Sequence, residues 1–419
     1  MYIRRAMEDV ILRADKTFKA TLITGARQTG KFTVLEALFP DRRSVTFDDA
    51  YLEEQAKRNP DMFLQINHPP VTLDEVQYVP ELFRYIKMVC DASRERGLFT
   101  LSGSQPLLLM KHAAESLSGR VCVLEMLGLS LREIQGDPFS EPFLPTMDYI
   151  LARQKTVKKP ENIWEIIHRG SYPELYHTPE MDWQSFYSSY VKTYLERDVR
   201  SLSAVQDLDS FRRFMVAVAA RTGQMLNYSN IADEISRDVG TVKNWMSILE
   251  ASGIVYLLEP YTPAVLKRAI KTPKVYFRDT GLASYLTRWL TTETLAFGAM
   301  SGAMFETYAV SEILKSYANR NIDYRYCVSY YRGKDKQKKK ENGQTVEIES
   351  EIDLIIEENG VLYPVEIKTN TAESASAAGS FTVLDKVPEK KRGTGAVVNL
   401  CPQPGRLREN VLEIPVWYI

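Results

Sequence analysis

The 419-residue chain is too long for one ordinary hydrophobic core, so two to four domains are expected. Its 53 basic and 54 acidic residues nearly cancel, which excludes a strong overall attraction to nucleic acid or to a membrane surface. Four cysteines without metal-ligand spacing, the absence of an export signal and the lack of a membrane-spanning apolar run predict reduced thiols, a cytoplasmic location and no membrane partner.

A glycine-rich turn stands between an apolar strand, Ala20 to Thr24, and a helix predicted from Thr33 to Phe39. Such a turn binds phosphate because its glycines expose backbone N–H groups, the helix N-terminus adds positive potential, and a lysine reaches the β- and γ-phosphates. The turn fits the pattern G-x-x-x-x-G-K with Gly25, Ala26, Arg27, Gln28, Thr29, Gly30 and Lys31. This motif predicts a site for ATP or ADP.

The position after Lys31 departs from the phosphate-binding pattern. A serine or threonine is expected there to bind Mg²⁺, but Phe32 takes its place, and Thr33 follows about 100° further round the helix. Both residues still belong to the predicted nucleotide-binding segment. The departure puts Mg²⁺ binding, and therefore hydrolysis, in question without removing the phosphate cradle.

An acidic pair, Asp74 and Glu75, ends the next buried strand, which begins at Val71. In this position the aspartate supports Mg²⁺ through water, and the glutamate polarises the attacking water. About forty residues separate the phosphate-binding loop from the pair, which suits two crossovers of a parallel sheet. A strand that ends in a solvated acidic turn is the alternative, and the loop upstream makes it the weaker one.

Two further features complete the predicted nucleotide site. A strand that begins at Leu98 ends in small hydroxyl residues, and Ser102 and Ser104 are the candidates to sense the γ-phosphate. Arg120 follows a flexible turn and is predicted to stabilise transferred charge, either in its own chain or in a neighbouring subunit. An exposed arginine that is merely solvated is the alternative for this residue.

Several segments occur in a fixed order along the chain: GARQTGK, TLDEVQYVPEL, TLSGSQPLLLMK and SLSGRVCVLEMLGLSLREI, then RGSYPELY, RTGQMLNYSNIA and GAMFETYAVSEILK. As a set they resemble the bacterial and archaeal AAA+ ATPase family whose members carry a C-terminal domain of unknown function. The resemblance implies a protein that binds ATP and hydrolyses it. That family usually has threonine where this chain has Phe32, so ATP binding carries over more securely than hydrolysis.

The chain is predicted to be an α/β protein of four parts. Residues 1–135 form an AAA+ P-loop domain with a parallel sheet, and residues 136–205 form a linker and helical connector. Residues 206–265 show three helices and a hairpin, which is the layout of a winged helix. Residues 266–419 form an α/β domain of the restriction-endonuclease type.

The third helix of the winged-helix region has an outer and an inner face. Thr241, Lys243 and Asn244 lie on the outer face, where a recognition helix contacts the major groove of DNA. Val242 and Trp245 belong to the inner face. A packing or protein-contact module is the alternative, because this helix carries a single lysine.

The C-terminal third carries an ordered set of charged residues, namely Glu306 on a helix, Asp353 on a strand, and Glu366 and Lys368 on one face of the next strand. This is the order of the PD-(D/E)xK phosphodiesterases. In that chemistry Asp353 and Glu366 hold Mg²⁺, and Glu306 supports it through water. Lys368 orients or activates the attacking water. The motif often arises by chance, so an inert binding module with the same fold is the alternative.

Two basic segments lie close to this set in the sequence. The strip from Lys267 to Lys274 precedes it, and the Lys-rich segment from Arg332 to Gly343 is predicted to be a loop at a hairpin tip. Because the whole chain is nearly neutral, any affinity for nucleic acid must be local.

Two functions from different classes follow. The first is a cytoplasmic ATP-binding AAA+ protein that couples nucleotide binding or hydrolysis to a C-terminal module acting on DNA or another nucleic acid. The second is a nucleotide-dependent switch, in which Phe32 weakens hydrolysis and the C-terminal half is only a protein-interaction scaffold. If Glu306, Asp353, Glu366 and Lys368 converge in the folded chain, the first of these two functions is favoured. Assembly into a homo-oligomer is left open.

Overall fold

The computed structural model describes residues 2–104, 109, 117–194, 199, 207–262, 272–338, 345–370 and 378–419. For residues 334–338 and 345–349 only the backbone is described. Most of the basic strip predicted from Lys267 to Lys274 therefore lies outside the described residues, as does the end of the Lys-rich segment after Lys338.

A parallel five-stranded sheet forms the N-terminal part. Its strands are β1 (Ala20–Thr24), β2 (Arg43–Thr46), β3 (Val71–Asp74), β4 (Phe99–Gly103) and β5 (Val121–Glu125). They lie in the order β2-β3-β4-β1-β5, and every neighbouring pair is parallel. The carboxyl ends of the strands therefore meet at one edge, which brings the phosphate-binding loop after β1 next to the acidic pair after β3.

Helices cover both faces of this sheet, as expected for a parallel sheet with fully buried strands. They are α1 (Glu8–Thr17), α2 (Lys31–Leu38), α3 (Ala50–Arg58), α4 (Pro60–Ile66) and α5 (Leu82–Ala92). α5 is amphipathic, since it buries Leu82, Ile86 and Cys90 at spacings of four residues. α3 ends at Arg58 because Pro60 has no N–H group to continue the helix and begins α4 instead.

Short helices form the connector that follows. They are α6 (Leu131–Ile134), α7 (Met147–Arg153), α8 (Ile163–Arg169), α9 (Pro173–His177) and α10 (Trp183–Tyr194). Asp279, a buried residue of the later chain, accepts hydrogen bonds from Ser171 N and Oγ at 2.6 and 2.8 Å and from Tyr187 OH at 2.8 Å. These bonds fix the connector against the C-terminal half.

Three helices and a small antiparallel sheet come next. The elements are α11 (Leu208–Ala219), β6 (Gln224–Met225), α12 (Tyr228–Ile235), α13 (Val239–Ala251), β7 (Val255–Leu258) and β8 (Lys274–Phe277). β8 is the middle strand of this sheet. Asp238 begins α13 by accepting a hydrogen bond from Thr241 N. Val242 and Trp245 are buried, as the helical spacing predicts.

A mixed sheet and one long helix make up the C-terminal part. The helices are α14 (Thr280–Leu286), α15 (Thr292–Ala296) and α16 (Ser301–Ala318), and the strands are β9 (Val328–Lys338), β10 (Thr345–Glu358), β11 (Val361–Ile367), β12 (Lys391–Arg392), β13 (Gly395–Asn399), β14 (Gly405–Arg408) and β15 (Val411–Pro415). β9, β10 and β11 are antiparallel neighbours, and β11, β13 and β15 are parallel. α16 is buried along most of its length.

The Lys-rich segment predicted as a loop is mostly strand. β9 continues to Lys338, and its register with β10 runs from the Tyr331–Ile352 pair to the Lys338–Thr345 pair. The prediction was wrong for residues 332–338, because antiparallel pairing satisfies the backbone N–H and C=O groups whatever side chains the residues carry. A charged run can therefore extend a hairpin.

The hydrophobic interior joins the parts that follow the N-terminal sheet. One cluster of buried side chains extends from Leu127 through Trp245 to Trp417, whereas separate clusters lie on the two faces of the N-terminal sheet. The connector, the three-helix unit and most of the C-terminal part thus pack as one body. Among the described helices, none combines the length and apolarity that a membrane span requires.

Candidate nucleotide site and carboxylate cluster

The loop between β1 and α2 adopts a conformation that requires glycine at two positions. Gly25 has a φ of 147°, and a Cβ at this residue would lie 2.1 Å from the backbone oxygen of Met126. Gly30 caps α2 in the left-handed conformation, with a φ of 84°. The loop therefore packs closely on the chain after β5. Its backbone leads directly into the N-terminus of α2, where phosphate binds.

Lys31 begins α2, and its ammonium group folds back over the loop. Its Nζ donates to the carbonyl oxygens of Ala26 at 2.8 Å and Gly25 at 3.2 Å, and the residue is buried. Phosphate oxygens are stronger acceptors than carbonyl oxygens because they are charged. Lys31 is therefore placed to bind the terminal phosphates of a nucleotide.

The middle of the loop is held by its own side chains. Thr29 Oγ1 donates to the carbonyl oxygen of Ala26 at 3.0 Å, which closes the loop on itself. Gln28 has a φ of 61°, a left-handed conformation in which few residues other than glycine are found. Arg27 Nη2 donates to Tyr78 OH at 3.1 Å and so reaches toward the turn after the acidic pair.

Asp74, at the end of β3, is buried and accepts hydrogen bonds from two hydroxyl groups. Ser102 Oγ donates to its Oδ1 at 2.5 Å, and Thr46 Oγ1 donates to its Oδ2 at 3.3 Å. Burial raises the pKa of Asp74, and the hydrogen bond from Ser102 and the charge of Lys31 oppose that rise. The electrostatic influence of Lys31 on this carboxylate supports a shared site for phosphate and Mg²⁺.

Glu75 is held by the strand beside it. Its Oε2 accepts hydrogen bonds from Ser104 N at 3.2 Å and Ser104 Oγ at 3.0 Å, and Gln77 Nε2 donates to the same oxygen. Its backbone is left-handed, with a φ of 54°. Ser102 and Ser104, predicted as γ-phosphate sensors, thus bind the two acidic residues directly. Any contact with phosphate has to compete with these bonds.

The departure from the motif at Phe32 has no local replacement. Phe32 is half-buried and Thr33 is exposed, so neither places a hydroxyl group beside Lys31. The hydroxyl groups of Thr46 and Ser102 approach Asp74, and that of Ser104 approaches Glu75. Binding of Mg²⁺ at this site therefore depends on Asp74, on the nucleotide and on water.

Arg5 is a member of the site that the sequence did not reveal. Its buried guanidinium donates to the carbonyl oxygens of Thr29 at 2.6 Å and Leu127 at 2.8 Å, and to Glu133 Oε1 at 2.8 Å. Burial alone would raise the pKa of Glu133, but the charge of Arg5 and the hydrogen bonds from Arg5, Ser130 N and Ala6 N together lower this pKa below its ordinary value. Arg5 thereby connects the phosphate-binding loop to the chain after β5 and stabilises the loop.

Arg120 does not join the nucleotide site of its own chain. Its backbone oxygen accepts a hydrogen bond from Ala20 N at 3.2 Å, so it lies at the amino end of β1, opposite the phosphate-binding loop. Five residues of strand separate the two ends, roughly 16 Å. Its side chain pairs with Asp91 at 2.5 Å. The role predicted within the same chain does not fit this position, and a role in a neighbouring subunit stays a prediction.

Glu125 connects the N-terminal sheet to the C-terminal half. It ends β5, in register with Thr24 at the start of the loop, and its carboxylate pairs with Arg278 at 2.9 Å and Arg325 at 2.8 Å. Burial would raise its pKa, but the two arginines lower it below the ordinary value. At the turn before β7, a Cβ on Gly253 would lie 3.4 Å from Ala26 N. The C-terminal half therefore touches the phosphate-binding loop itself.

The four charged residues predicted for the C-terminal site converge in the folded chain. Asp353 lies where the pairing of β10 with β9 shifts register, a β-bulge that turns its side chain toward β11. Its Oδ2 accepts a hydrogen bond from Ile367 N at 2.9 Å. Lys368 Nζ lies 3.6 Å from Asp353 Oδ2 and 2.8 Å from Glu366 Oε1.

Lys274 completes the cluster and was predicted only as part of a basic strip. Its buried ammonium group, on β8, lies 2.7 Å from Glu351 Oε1, 3.4 Å from Glu306 Oε1 and 3.5 Å from Asp353 Oδ1. Tyr276 OH, two residues along the same strand, donates to Glu306 Oε1 at 2.6 Å. No pattern in the sequence indicates that β8 contacts the charged C-terminal residues, because these segments come together only in the folded chain.

Burial of several carboxylates together changes their pKa values. Burial and the neighbouring Asp353 raise the pKa of Glu306 to about 7 and that of Glu366 to about 8. Burial would lower the pKa values of Lys274 and Lys368, but the carboxylates outweigh it and raise both. Glu306 and Glu366 therefore hold a proton more tightly than ordinary carboxyl groups do.

The donor chemistry of the cluster suits Mg²⁺, which prefers carboxylate oxygens. Glu366 Oε2 is buried and has no hydrogen-bond partner within the described ranges, and a divalent ion is one group that would satisfy it. In those same ranges, however, no three His, Cys, Asp or Glu side chains are gathered closely enough to hold an ion as they stand. The two ammonium groups lie between the carboxylates instead.

Sequence models of three protein families match successive parts of the chain. A model described as an AAA domain matches residues 17–135. Residues 17–135 thus carry an AAA-type P-loop ATPase fold, in agreement with the parallel sheet. Two domains of unknown function, DUF8612 and DUF4143, match residues 160–293 and 301–419. The AAA-type fold predicted for the N-terminal part is confirmed.

Three relatives that match most of the chain are uncharacterized proteins. One from Mycobacterium tuberculosis and one from Mycobacterium bovis are each 25% identical over 384 residues, 91% of this chain and 77% of the relative. One from Methanocaldococcus jannaschii is 23% identical over 73% of this chain and 69% of its own length. A Walker-type ATPase of Pyrococcus abyssi superposes with a TM-score of 0.43 and 13% identity, over 68% of this chain and 96% of that one.

The comparisons bear on the AAA domain and leave the later parts without an assigned activity. The AAA-type fold implies nucleotide binding, with Mg²⁺ as the usual companion ion. The assignment of that site to the loop from Gly25 to Lys31 stays a prediction. The winged helix and the nuclease-type site stay predictions, as do the domain boundaries after residue 135.

Proposed function

We propose that this protein is an ATP-binding AAA-type ATPase whose nucleotide state controls a C-terminal site that binds a divalent metal ion and cleaves nucleic acid. The observation that carries the proposal is the convergence of Glu306, Asp353, Glu366 and Lys368 from three separate elements. Burying that many charges is costly, and a fold retains such a cluster where it has a use.

The arrangement supports hydrolysis of a phosphodiester bond. When bound, Mg²⁺ would polarise the phosphate and stabilise the charge that develops on it. Asp353 and Glu366 offer the oxygens that would hold the ion, and Asp353 is oriented by the backbone N–H of Ile367. Lys368, one-third exposed, is the group that reaches solvent and can position the attacking water. α16, β9, β10 and β11 come in the order that this chemistry uses.

The three-helix unit offers a surface for nucleic acid. Its chain order of helix, strand, two helices and two strands, with β8 between β6 and β7, is that of a winged helix. Lys243 and Asn244 are exposed on α13. Thr241 is less suited to this role than predicted, because its hydroxyl donates to Asp238 Oδ2 at 2.5 Å. Contact with DNA therefore rests on Lys243 and Asn244.

A single strand supports coupling between the two sites. At the start of β8, Lys274 contacts the carboxylate cluster, and just after its end Arg278 pairs with Glu125 beside the phosphate-binding loop. The four residues of β8 span roughly 13 Å. A shift of the loop on nucleotide binding is therefore transmitted to the cluster through one buried, rigid element.

Metal binding is tested by thermal unfolding without nucleotide, in a Lys31→Ala background that silences the AAA site. Saturating Mg²⁺ or Mn²⁺ is expected to raise Tm by several degrees, since about 1 kcal/mol of ligand stabilisation shifts Tm by roughly 2–4 °C. Asp353→Asn should remove this response, because it deletes the charge of one of the two carboxylates that would hold the ion. Asp353 is also the carboxylate that both lysines approach.

Asp385→Asn is the matched control, since Asp385 is an exposed aspartate of the same domain that pairs with Arg392 at 2.7 Å. This variant should keep the full metal response. Equal responses in the Asp353 and Asp385 variants would contradict the metal site.

The second candidate function is a nucleotide-dependent switch with slow hydrolysis. Two observations favour it. Phe32 removes a ligand of Mg²⁺, and Glu75, the residue that should polarise water, is bound to Ser104 and Gln77. In this form the protein would hold ATP and signal through β8 without rapid turnover.

Phe32→Thr should increase the steady-state rate of phosphate release about tenfold, which corresponds to about 1.4 kcal/mol of barrier. The substitution restores a hydroxyl group beside Lys31, where it can bind Mg²⁺ directly. Phe32→Val is the matched control, because it removes the same ring and has nearly the shape of threonine without its hydroxyl. Equal rates in the two variants would show that the ring, and not the missing hydroxyl, limits hydrolysis.

A further inference from the structure

The carboxylate cluster has two cation positions, and the chain itself fills both with lysine. Lys368 faces Asp353 Oδ2 at 3.6 Å and Glu366 at 2.8 Å. Lys274 faces the other oxygen of Asp353, Oδ1, at 3.5 Å, together with Glu306 at 3.4 Å and Glu351 at 2.7 Å. Asp353 therefore stands between two ammonium groups, one on each carboxylate oxygen.

The two lysines differ in how firmly they are held. The side chain of Lys274 is 4% exposed, whereas that of Lys368 is 33% exposed. Lys274 comes from β8, the buried middle strand of the three-stranded sheet, and the hydroxyl of Tyr276 on the same strand holds Glu306 in place. An ammonium group so enclosed is costly to move, because three carboxylates would lose a cation that they share.

We infer that the Lys274 ammonium group is a built-in cation that takes the place of a second metal ion, so that the cluster binds one divalent ion only, at Asp353 and Glu366. This inference rests on the proposed metal-dependent function and deepens it. The free acceptor is Glu366 Oε2, which is buried and has no hydrogen-bond partner among the described residues. Two carboxylates are the number that Mg²⁺ commonly takes from a protein, its other ligands being water and substrate oxygens.

Lys274 also makes the metal site depend on a neighbouring unit. Glu306, Glu351, Asp353 and Glu366 all belong to the C-terminal part, but the resident cation is supplied by the sheet of the three-helix unit. The C-terminal part alone would lack that charge and would present an additional acidic position between Glu306 and Asp353. The number of ions that the full chain binds is therefore set by β8.

The inference is tested by calorimetric titration of Mn²⁺ into the full chain without nucleotide, in the Lys31→Ala background. The protein with Lys274 intact is expected to bind one ion, and Lys274→Met is expected to bind two. Lys390→Met is the matched control, because Lys390 pairs with Glu357 of the same sheet outside the cluster, and this variant should bind one ion. Binding of two ions with Lys274 intact, or of only one ion by Lys274→Met, would overturn the inference.

Loss of the buried cation can also unfold the protein, and this case is decided by circular dichroism. If Lys274→Met is unfolded in buffer, Mn²⁺ is expected to refold it by replacing the missing charge, and failure to refold at saturating Mn²⁺ overturns the inference. The proposed nuclease activity fails separately. If the protein with Lys274 intact binds one Mn²⁺ but cleaves no nucleic acid, the inference stands and the nuclease function fails. If it cleaves nucleic acid while Lys274→Met still binds only one ion, the nuclease function stands and the inference fails.

Discussion

Lys31→Ala is expected to weaken ATP binding by about 10- to 100-fold. Hydrogen bonds to charged groups contribute roughly 1.5–3 kcal/mol, and each 1.4 kcal/mol is a factor of ten in affinity. In the structure, Lys31 Nζ is directed over the loop and donates to two backbone carbonyls, which the phosphates can displace. Removing it leaves the N–H groups of the loop but deletes the cation that reaches the terminal phosphates.

Titration of a fluorescent ATP analogue measures this effect. Lys57→Ala is the control, because Lys57 is a half-exposed lysine of the same domain that pairs with Glu53 within α3. The control should bind with unchanged affinity. Unchanged affinity in the Lys31 variant would contradict the assignment of the loop as the nucleotide site.

Arg5→Met should reduce the free energy of unfolding by about 3–5 kcal/mol, the cost typical of removing one partner of a buried ion pair. Arg5 and Glu133 have side chains 4% and 2% exposed, and the guanidinium also holds the carbonyl oxygens of Thr29 and Leu127. The variant leaves Glu133 charged and buried. It should also weaken ATP binding, because Thr29 lies in the phosphate-binding loop.

Urea unfolding monitored by circular dichroism gives the stability difference. Arg4→Met is the matched control, because the neighbouring Arg4 is 74% exposed and its guanidinium group is open to solvent, although its partner Glu8 is mostly buried. Arg5→Met combined with Glu133→Gln should recover part of the loss, since the buried charge is gone. A loss below about 1 kcal/mol in Arg5→Met would show that the pair does not brace the loop.

The sequence predicted the sites best where function depends on a short run of residues. Gly25 and Gly30 were assigned from spacing alone, and the structure shows the reason, since one lies against Met126 and the other is left-handed. Asp74 and Glu75 were placed by the strand that carries them. A parallel sheet brings such strand ends together in any chain that forms it.

Residues that act across long distances in the sequence were not predicted. Arg5 and Lys274 are buried cations whose partners lie far along the chain, and no periodicity marks them. Ser102 and Ser104 were found as candidates, but their hydrogen bonds to the acidic pair follow from side-chain directions that the pattern does not contain.

Arg120 shows a different limit. Its distance from the loop follows from the parallel direction of β1 and β5, which places the residue before β5 at the far edge of the sheet. The sequence showed an arginine after a flexible turn, but it did not show at which edge of the N-terminal sheet this arginine lies. Strand direction, and not residue type, decides such a placement.

The central claim, that a nucleotide site governs a metal-dependent nuclease site, is tested most directly by a cleavage assay. The full chain is incubated with single- and double-stranded DNA and RNA in Mg²⁺ or Mn²⁺, with and without ATP. The expected result is metal-dependent cleavage of at least one substrate, at a rate that ATP changes in the wild type but not in Lys31→Ala, and that Asp353→Asn abolishes. No cleavage of any substrate with either metal, or cleavage that survives Asp353→Asn, would contradict it.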